Sequence, residues 1–236
     1  MGPQRRLKVL VVIPTYNEEE ALPSVVKEAK GLFPGVDFLL VDDGSTDSTL
    51  EVARREGLKV LRLPFRLGIG GAVQAGYLFG LREGYEVVLR LDGDGQHKPQ
   101  ELKKLLRPLA RGEADVVVGS RFLFSSGHHS TCARRMGIRF FRVLLALSGL
   151  RNLSDPTSGF VGVNHKALEV FCRSFASDYP EVEALVLAKK RGLRVKEVGV
   201  LMEERKGGKS SIYFLQALYY MVKVTVASLL GMMRRE

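Results

Sequence analysis

The chain has 236 residues, 45% of them apolar, and a formal net charge of +10. That length holds one large α/β domain or two small ones, and the apolar share fills a core without disulfides. The two cysteines, Cys132 and Cys172, have neither metal-ligand nor redox spacing, which sets aside a disulfide scaffold, a zinc module and a thioredoxin-type site and fits a reducing compartment.

The charge is unevenly spread. Residues 1–120 carry 17 Lys and Arg against 17 Asp and Glu, whereas residues 121–236 carry 19 against 9. A neutral half joined to a basic half points to two ligands of different kinds. The basic half brings no nucleic-acid motif and no stacking platform with it.

Met1–Lys8 is basic, but the apolar run after it, Val9–Ile13, is too short for a signal-peptide core. It reads as the first buried strand of a cytosolic protein, stopped by Pro14 and followed by Thr15-Tyr16-Asn17-Glu18. Ala21–Phe33 has helical spacing, with Leu22, Val25, Val26, Ala29 and Leu32 on one face. Phe38–Val41 is the second strand and ends in Asp42-Asp43-Gly44-Ser45-Thr46-Asp47. Ser45 and Asp47 are candidate N-caps for a helix through Arg55, and Asp42 reads as a cap or loop acid. Lys59–Leu63 is the third strand. A glycine-rich loop, Arg66–Gly76, then runs into a helix over Ala72–Arg82. Gly68, Gly70, Gly71 and Gly76 miss the dinucleotide fingerprint because position 73 is Val; they read as a tight helix start and close packing.

The fourth strand, Val87–Leu91, stops abruptly at Asp92-Gly93-Asp94-Gly95-Gln96-His97. An apolar run closed by an acidic, glycine-rich turn delivers carboxylates to the C-terminal edge of a buried strand, where open α/β sheets bind ligands. Two carboxylates one residue apart repel each other unless a cation sits between them. Mg²⁺ suits such a place, because it takes one or two carboxylates and keeps its other positions for phosphate and water. His97 reads as a loop residue. Pro99–Arg111 is the next helix and Val116–Gly119 the fifth strand. This alternation predicts a doubly wound, mostly parallel α/β sheet of Rossmann-like type. Three of its strands end in polar or acidic clusters, which a parallel sheet puts on one rim.

In the basic half, Thr131–Leu150 reads as a helix with Arg135, Arg139 and Arg142 on one face and Met136, Phe140, Val143, Leu144 and Leu147 on the other. Such a helix fits an anionic membrane surface or ordinary packing on the core. Ile212–Met233 is long enough to span a bilayer, but Lys223 lies at its middle. Gln216, Lys223 and Arg234 share a face, so residues 212–236 read as an amphipathic helix lying in the interface or on the domain.

The series Pro14-Thr15-Tyr16-Asn17-Glu18, Asp42 to Asp47, Asp92 to Gln96, Gly119-Ser120-Arg121, Asp155-Pro156-Thr157-Ser158-Gly159-Phe160 and Arg205 to Ser210 resembles glycosyltransferase family 2. Within it, the chain resembles the polyprenyl-phosphate (dolichyl-phosphate) mannosyl- and glucosyltransferases. The resemblance implies a GT-A fold over residues 1–211, with a nucleotide-sugar half (1–120) and an acceptor half (121–211). It implies a UDP- or GDP-linked donor, Mg²⁺ or Mn²⁺, and inversion at the anomeric carbon. Pro14, Tyr16, Glu18, Val41 and Asp43 would line the nucleoside pocket. Asp92, Asp94 and Gln96 would hold the metal, with Gly93 at the diphosphate. Arg205, Lys209 and Ser210, in a glycine-softened loop, would close over that diphosphate as a lid. Asp94, Arg121, Asp155 and Glu181 are the catalytic candidates, with Glu183 beside the last. Arg121 faces a phosphate or makes a surface ion pair, and Asp155 is an acid of the site or a helix N-cap. The family usually has Asn where Arg66 stands.

The expected function is hexose transfer to a polyprenyl phosphate at the cytosolic membrane face. The protein would be peripheral, on an anionic surface, with room for a separate small membrane subunit as partner. A phosphate acceptor, with its second pKa of about 6, is already ionised and needs no base. The alternative, transfer to a glycan hydroxyl, needs a carboxylate base, Asp155 or Glu181. A sugar-phosphate nucleotidylyltransferase would carry a glycine-rich loop after the first strand, which is absent. A non-catalytic nucleotide-sugar binder would have no use for intact acidic clusters.

Overall fold

The computed structural model describes residues 7–123, 132–147, 149–150, 153–173 and 180–203. Arg205, Lys209, Ser210 and the expected helix over 212–236 lie outside the described residues. A seven-stranded sheet has the order β3-β2-β1-β4-β6-β5-β7. β1 (Val9–Thr15), β2 (Asp37–Asp42), β3 (Lys59–Arg62) and β4 (Val87–Arg90) are parallel. β6 (Val161–Asn164) enters antiparallel between β4 and β5 (Val116–Ser120), and β7 (Val195–Gly199) runs parallel to β5.

Side chains alternate between two cores. Leu10 and Val12 of β1 join one built with α3 (Gly68–Arg82), α5 (Cys132–Leu147), α6 (His165–Arg173) and α7 (Pro180–Lys190). Val11 and Ile13 join the other, with α1 (Leu22–Leu32), α2 (Thr49–Arg55) and α4 (Leu102–Ala110). Burial on both faces is why the central strands are continuous apolar runs.

Four local expectations change. Pro14 does not stop β1; it pairs in register with Val41, and the strand runs to Thr15. Val12 O, two residues earlier on the same side, takes the last β4 bond, from Leu91. Beyond it β4 has ended, so the missing N–H of Pro14 costs no ladder bond. Second, α3 begins at Gly68 and contains the glycines assigned to a loop. A Cβ on Gly76 would lie 2.4 Å from Val12, and one on Gly80 2.7 Å from Val88, so the glycines let α3 sit directly on the sheet. Third, α2 starts after Ser48, which makes no side-chain cap bond; Asp47 Oδ1 instead accepts the N–H of Thr49. Fourth, on α5 the buried residues are Phe141, Leu144 and Leu145, while Phe140 and Val143 are exposed beside Arg139 and Arg142.

The chain winds outward from β1 through β2 to β3, then returns to place β4 on the other side of β1. The crevice at that reversal, beyond the strands' C-terminal ends, is where such sheets bind ligands.

Candidate functional site

Two rim loops meet beside the crevice and are laced together. The N–H of Asn17 donates to Ser45 Oγ at 3.1 Å, that of Glu18 to Thr49 Oγ1 at 2.9 Å, and that of Thr46 to Asn17 Oδ1 at 2.8 Å. Asn17 has φ 53°, the one positive value outside glycine among the described residues. The lacing holds that strained turn.

Asp42 is fully buried and its Oδ1 accepts the N–H of Ser45 at 3.1 Å, a local turn bond as the sequence suggested. Asp43 accepts the N–H groups of Leu67 at 2.6 Å and Gly68 at 2.9 Å, which makes it the cap of α3. Val41 lies wholly in the core behind it, and Pro14 is buried in β1. Tyr16 and Glu18 are half-buried at the rim. The Arg66 guanidinium lies over the Tyr16 ring, 3.8 Å from its centroid.

After β4 the burial alternates. Leu91, Gly93, Gly95 and His97 are buried, whereas Asp92, Asp94 and Gln96 are partly exposed. Those three are therefore the residues of the turn that solvent and a ligand can reach. Gly95 has φ 78°, and Asp94 Oδ1 accepts the N–H of Gln96 at 3.0 Å. Two carboxylates and an amide are hard oxygen donors of the kind that Mg²⁺ and Mn²⁺ take.

Arg90, 5% exposed within β4, supports the first acid. Its Nε donates to Asp92 Oδ1 at 2.8 Å and its Nη1 to Glu181 Oε1 at 2.9 Å. Gly159 lies against the guanidinium, since a Cβ there would meet Nη2 at 2.6 Å. A cavity of about 30 Å³, lined by Tyr77, Arg90, Ser158, Glu181 and apolar side chains, adjoins the pair. That is room for one water.

His97 is not a simple loop residue. It is 4% exposed, stacks on Phe160 with centroids 4.5 Å apart, and accepts the N–H of Asp92 at 3.1 Å through Nδ1. Burial holds its imidazole pKa below the ordinary value, against the opposing pull of Asp92. The ring thus closes the acidic loop as a neutral acceptor. The returning chain pairs with this loop: His97 bridges Met202, and the N–H of Glu203 donates to Gln96 O at 3.0 Å.

Arg121 and Asp155 form the other buried pair. Nε meets Oδ2 and Nη2 meets Oδ1, both at 2.7 Å, and Asp155 has no exposed surface. Glu197 of β7 accepts the N–H groups of Ser154 and Asp155. Ser158 Oγ donates to Gly119 O at 2.6 Å, and Phe160 O accepts the N–H of Gly119 at 2.8 Å. Thr157 Oγ1 accepts from Arg121 Nη2 at 3.4 Å, so each residue of the 155–160 loop except Pro156 meets the end of β5, Arg121, Arg90 or His97. Glu183 stands elsewhere on α7 and is half-buried, which raises its carboxyl pKa.

The sequence reading gave Arg90, Phe160 and Glu197 no role and took His97 for a loop residue. A charge inside an apolar strand was the one available signal, because a buried Arg demands acidic partners. Their positions in the chain gave no clue to which acids those were.

Residues 10–171 match the family model described as glycosyl transferase family 2. The polyprenol monophosphomannose synthase of Mycolicibacterium smegmatis is 32% identical over 219 residues, covering 87% of this chain and 81% of that protein. The undecaprenyl-phosphate mannosyltransferase of Micrococcus luteus is also 32% identical over 219 residues, 87% of this chain and 88% of that protein. In structure, the chain is similar to glucosyl-3-phosphoglycerate synthase from Mycobacterium tuberculosis, crystallised with Mn²⁺, UDP-glucose and phosphoglyceric acid. The TM-score is 0.74 at 24% identity, over 95% of this chain and 79% of that one.

Proposed function

This chain belongs to glycosyl transferase family 2 and is a glycosyltransferase with a GT-A fold, and from that premise we propose that it transfers a hexose from a nucleoside diphosphate to a polyprenyl phosphate. The names of the two mannosyltransferase relatives support that acceptor. The observation that carries the reading is the state of the acids. Asp155 and Glu181, the candidate bases, are each held by an arginine, at 2.7 Å and 2.9 Å. A hydroxyl acceptor needs a carboxylate oxygen within reach to take its proton. A phosphate acceptor, ionised already, needs only positioning.

Asp92, Asp94 and Gln96 hold a divalent cation in this reading, Mg²⁺ or Mn²⁺, which would neutralise the departing diphosphate. The base and ribose lie at Tyr16, Glu18 and Asp43. An acceptor phosphate oxygen attacks the anomeric carbon on the face opposite the diphosphate. The new C–O bond forms as the bond to the diphosphate oxygen breaks, so the configuration inverts. Arg121, held in place by Asp155, supplies positive charge to a phosphate. Arg205, Lys209 and Ser210 serve as the lid; they follow closely on Glu203, which is hydrogen-bonded to Gln96.

Phe140 and Val143, 42% and 58% exposed beside Arg139 and Arg142, support a peripheral seat on an anionic membrane, which this reading puts at the cytosolic face. Among the described residues no helix is long and apolar enough to cross a membrane. A separate membrane subunit fits the same surface.

The test is release of nucleoside diphosphate from UDP- and GDP-hexoses, with and without a short polyprenyl phosphate. Lipid-stimulated release that EDTA abolishes and Mg²⁺ or Mn²⁺ restores is expected. Release stimulated by glycans and not by the lipid would overturn the acceptor assignment.

A further inference from the structure

Arg66 is exposed, yet it is not a loose surface arm. Its backbone is pinned by Asp43, which takes the N–H groups of the next two residues at 2.6 Å and 2.9 Å. Asp43 is itself 4% exposed and donates its N–H to Thr15 O at 2.9 Å. Gly44, with φ 81°, lies against the Arg66 backbone, where an added Cβ would stand 3.7 Å from its nitrogen. From that anchored backbone the guanidinium reaches across to Tyr16 and lies 3.8 Å from the ring centroid. Stacking spends no hydrogen-bond donor, so the guanidinium edge remains available for recognition.

We infer that Arg66 reads the donor's nucleobase and that the base it selects is guanine. The inference rests on the nucleotide-sugar reading above, which puts the base beside Tyr16 and Asp43. A guanidinium offers parallel N–H donors in one plane, and guanine offers two neighbouring acceptors, O6 and N7, on one edge. Adenine sets an amino donor beside N7 and meets only one of the two. Uracil has no adjacent acceptor pair, because N3–H separates its two carbonyls. Of these three bases only guanine takes both bonds. The competing role for Arg66, a contact to the diphosphate, would be indifferent to the base.

Binding of GDP, UDP and ADP in the presence of Mn²⁺, measured by calorimetry on the wild type, R66N and R66K, separates these roles. The wild type is expected to bind GDP about tenfold or more tighter than UDP or ADP, the size of one bidentate base contact. R66N should bring GDP to the level of UDP and leave UDP within about twofold of its wild-type value. R66K should do the same, because it keeps the charge and loses the planar fork. Equal wild-type affinities for GDP and UDP would overturn the inference. So would an equal loss for all three nucleotides in R66N that R66K restores, which is the signature of a phosphate contact. If none of the three binds the wild type, the nucleotide-sugar reading itself fails, and the base assignment with it.

Discussion

Arg90 donates through Nε to Asp92 Oδ1 at 2.8 Å, so a cation from within β4 steadies the first acid that β4 delivers. Its other end is tied to Glu181 on α7. Burial works against the charged guanidinium, but the fields of Asp92 and Glu181 outweigh it and hold its pKa above the ordinary value. Arg90→Met would leave two carboxylates without their cation, a loss of about 3–5 kcal/mol in urea unfolding. Glu181→Gln keeps an acceptor for Nη1, and its cost should be about 1 kcal/mol with turnover within about tenfold of wild type. A turnover loss of about 10²–10⁴ at unchanged stability would instead identify Glu181 as a general base.

Asp155 makes a comparable test on the acceptor side. Both of its oxygens meet Arg121, and none of its surface is exposed. Asp155→Asn removes the charge and one of the two acceptors, for an expected loss of about 3 kcal/mol. The donor Kd should stay near wild type, and the acceptor KM should rise as Arg121 loses its fixed orientation. A collapse of kcat alone, with KM and stability unchanged, would contradict this positioning role.

Gly159 is a third probe of the same support. An added Cβ would stand 2.6 Å from Nη2 and 2.8 Å from Cζ of Arg90, and the guanidinium cannot swing aside because both its ends are tied. Gly159→Ala should cost about 1–3 kcal/mol through overpacking. Calorimetric Mn²⁺ affinity should fall with it, since Asp92 shifts when Arg90 does. Gly31→Ala is the control: nothing lies within 4 Å of its Cβ position, and the helix gains up to about 1 kcal/mol.

The strands that build the crevice were legible because both their faces are buried. β1, β2 and β4 are therefore apolar runs, and their polar ends mark the rim. β6 and β7 carry no such signal. Val161–Asn164 is four residues long and includes a glycine, and Val195–Gly199 lies at the sheet edge with Lys196 and Glu197 within it. The start of α3 was hidden because its glycines look like a loop until Val12 and Val88 are seen beneath them. The face of α5 was misassigned because apolar residues occupy both sides, and periodicity cannot choose between two apolar faces. The acidic motifs were readable as clusters. What they bind inside the protein was not, because Arg90 and Glu181 stand 91 residues apart.

The exposed side of α5 gives a prediction that does not involve the crevice. Phe140→Asp combined with Val143→Asp replaces two exposed apolar side chains and no buried one, at the loss of an edge contact between the Phe140 and Phe141 rings, 5.5 Å between centroids. Unfolding should change by no more than about 1.5 kcal/mol, the size of one aromatic pair. Co-sedimentation with anionic vesicles should fall, and turnover of a water-soluble short-chain acceptor should persist. Unchanged vesicle binding would remove α5 from the membrane surface.

Asp115 contributes to the stability of the fold in a pH-dependent way. It lies just before β5, where Arg194 donates to it through its backbone N–H at 2.8 Å and through Nη2 at 3.0 Å, and Asn164 adds a bond at 2.9 Å. These bonds, that from the Arg194 side chain foremost, hold its carboxyl well below the usual carboxylate range, although burial opposes them. A depressed native pKa means that the unfolded chain takes up the proton first. The contribution is therefore complete above the unfolded value, about 4, and fades as pH falls through the native one. Arg194 is more than half exposed, so solvent trims the pair, and Asp115→Asn should cost about 1–3 kcal/mol at pH 7. Urea unfolding of the two proteins from pH 7 to pH 2.5 checks this. Their difference should be constant down to about pH 5 and shrink below pH 4. A difference that stays constant to pH 2.5 would show that packing, not charge, is what the substitution removes.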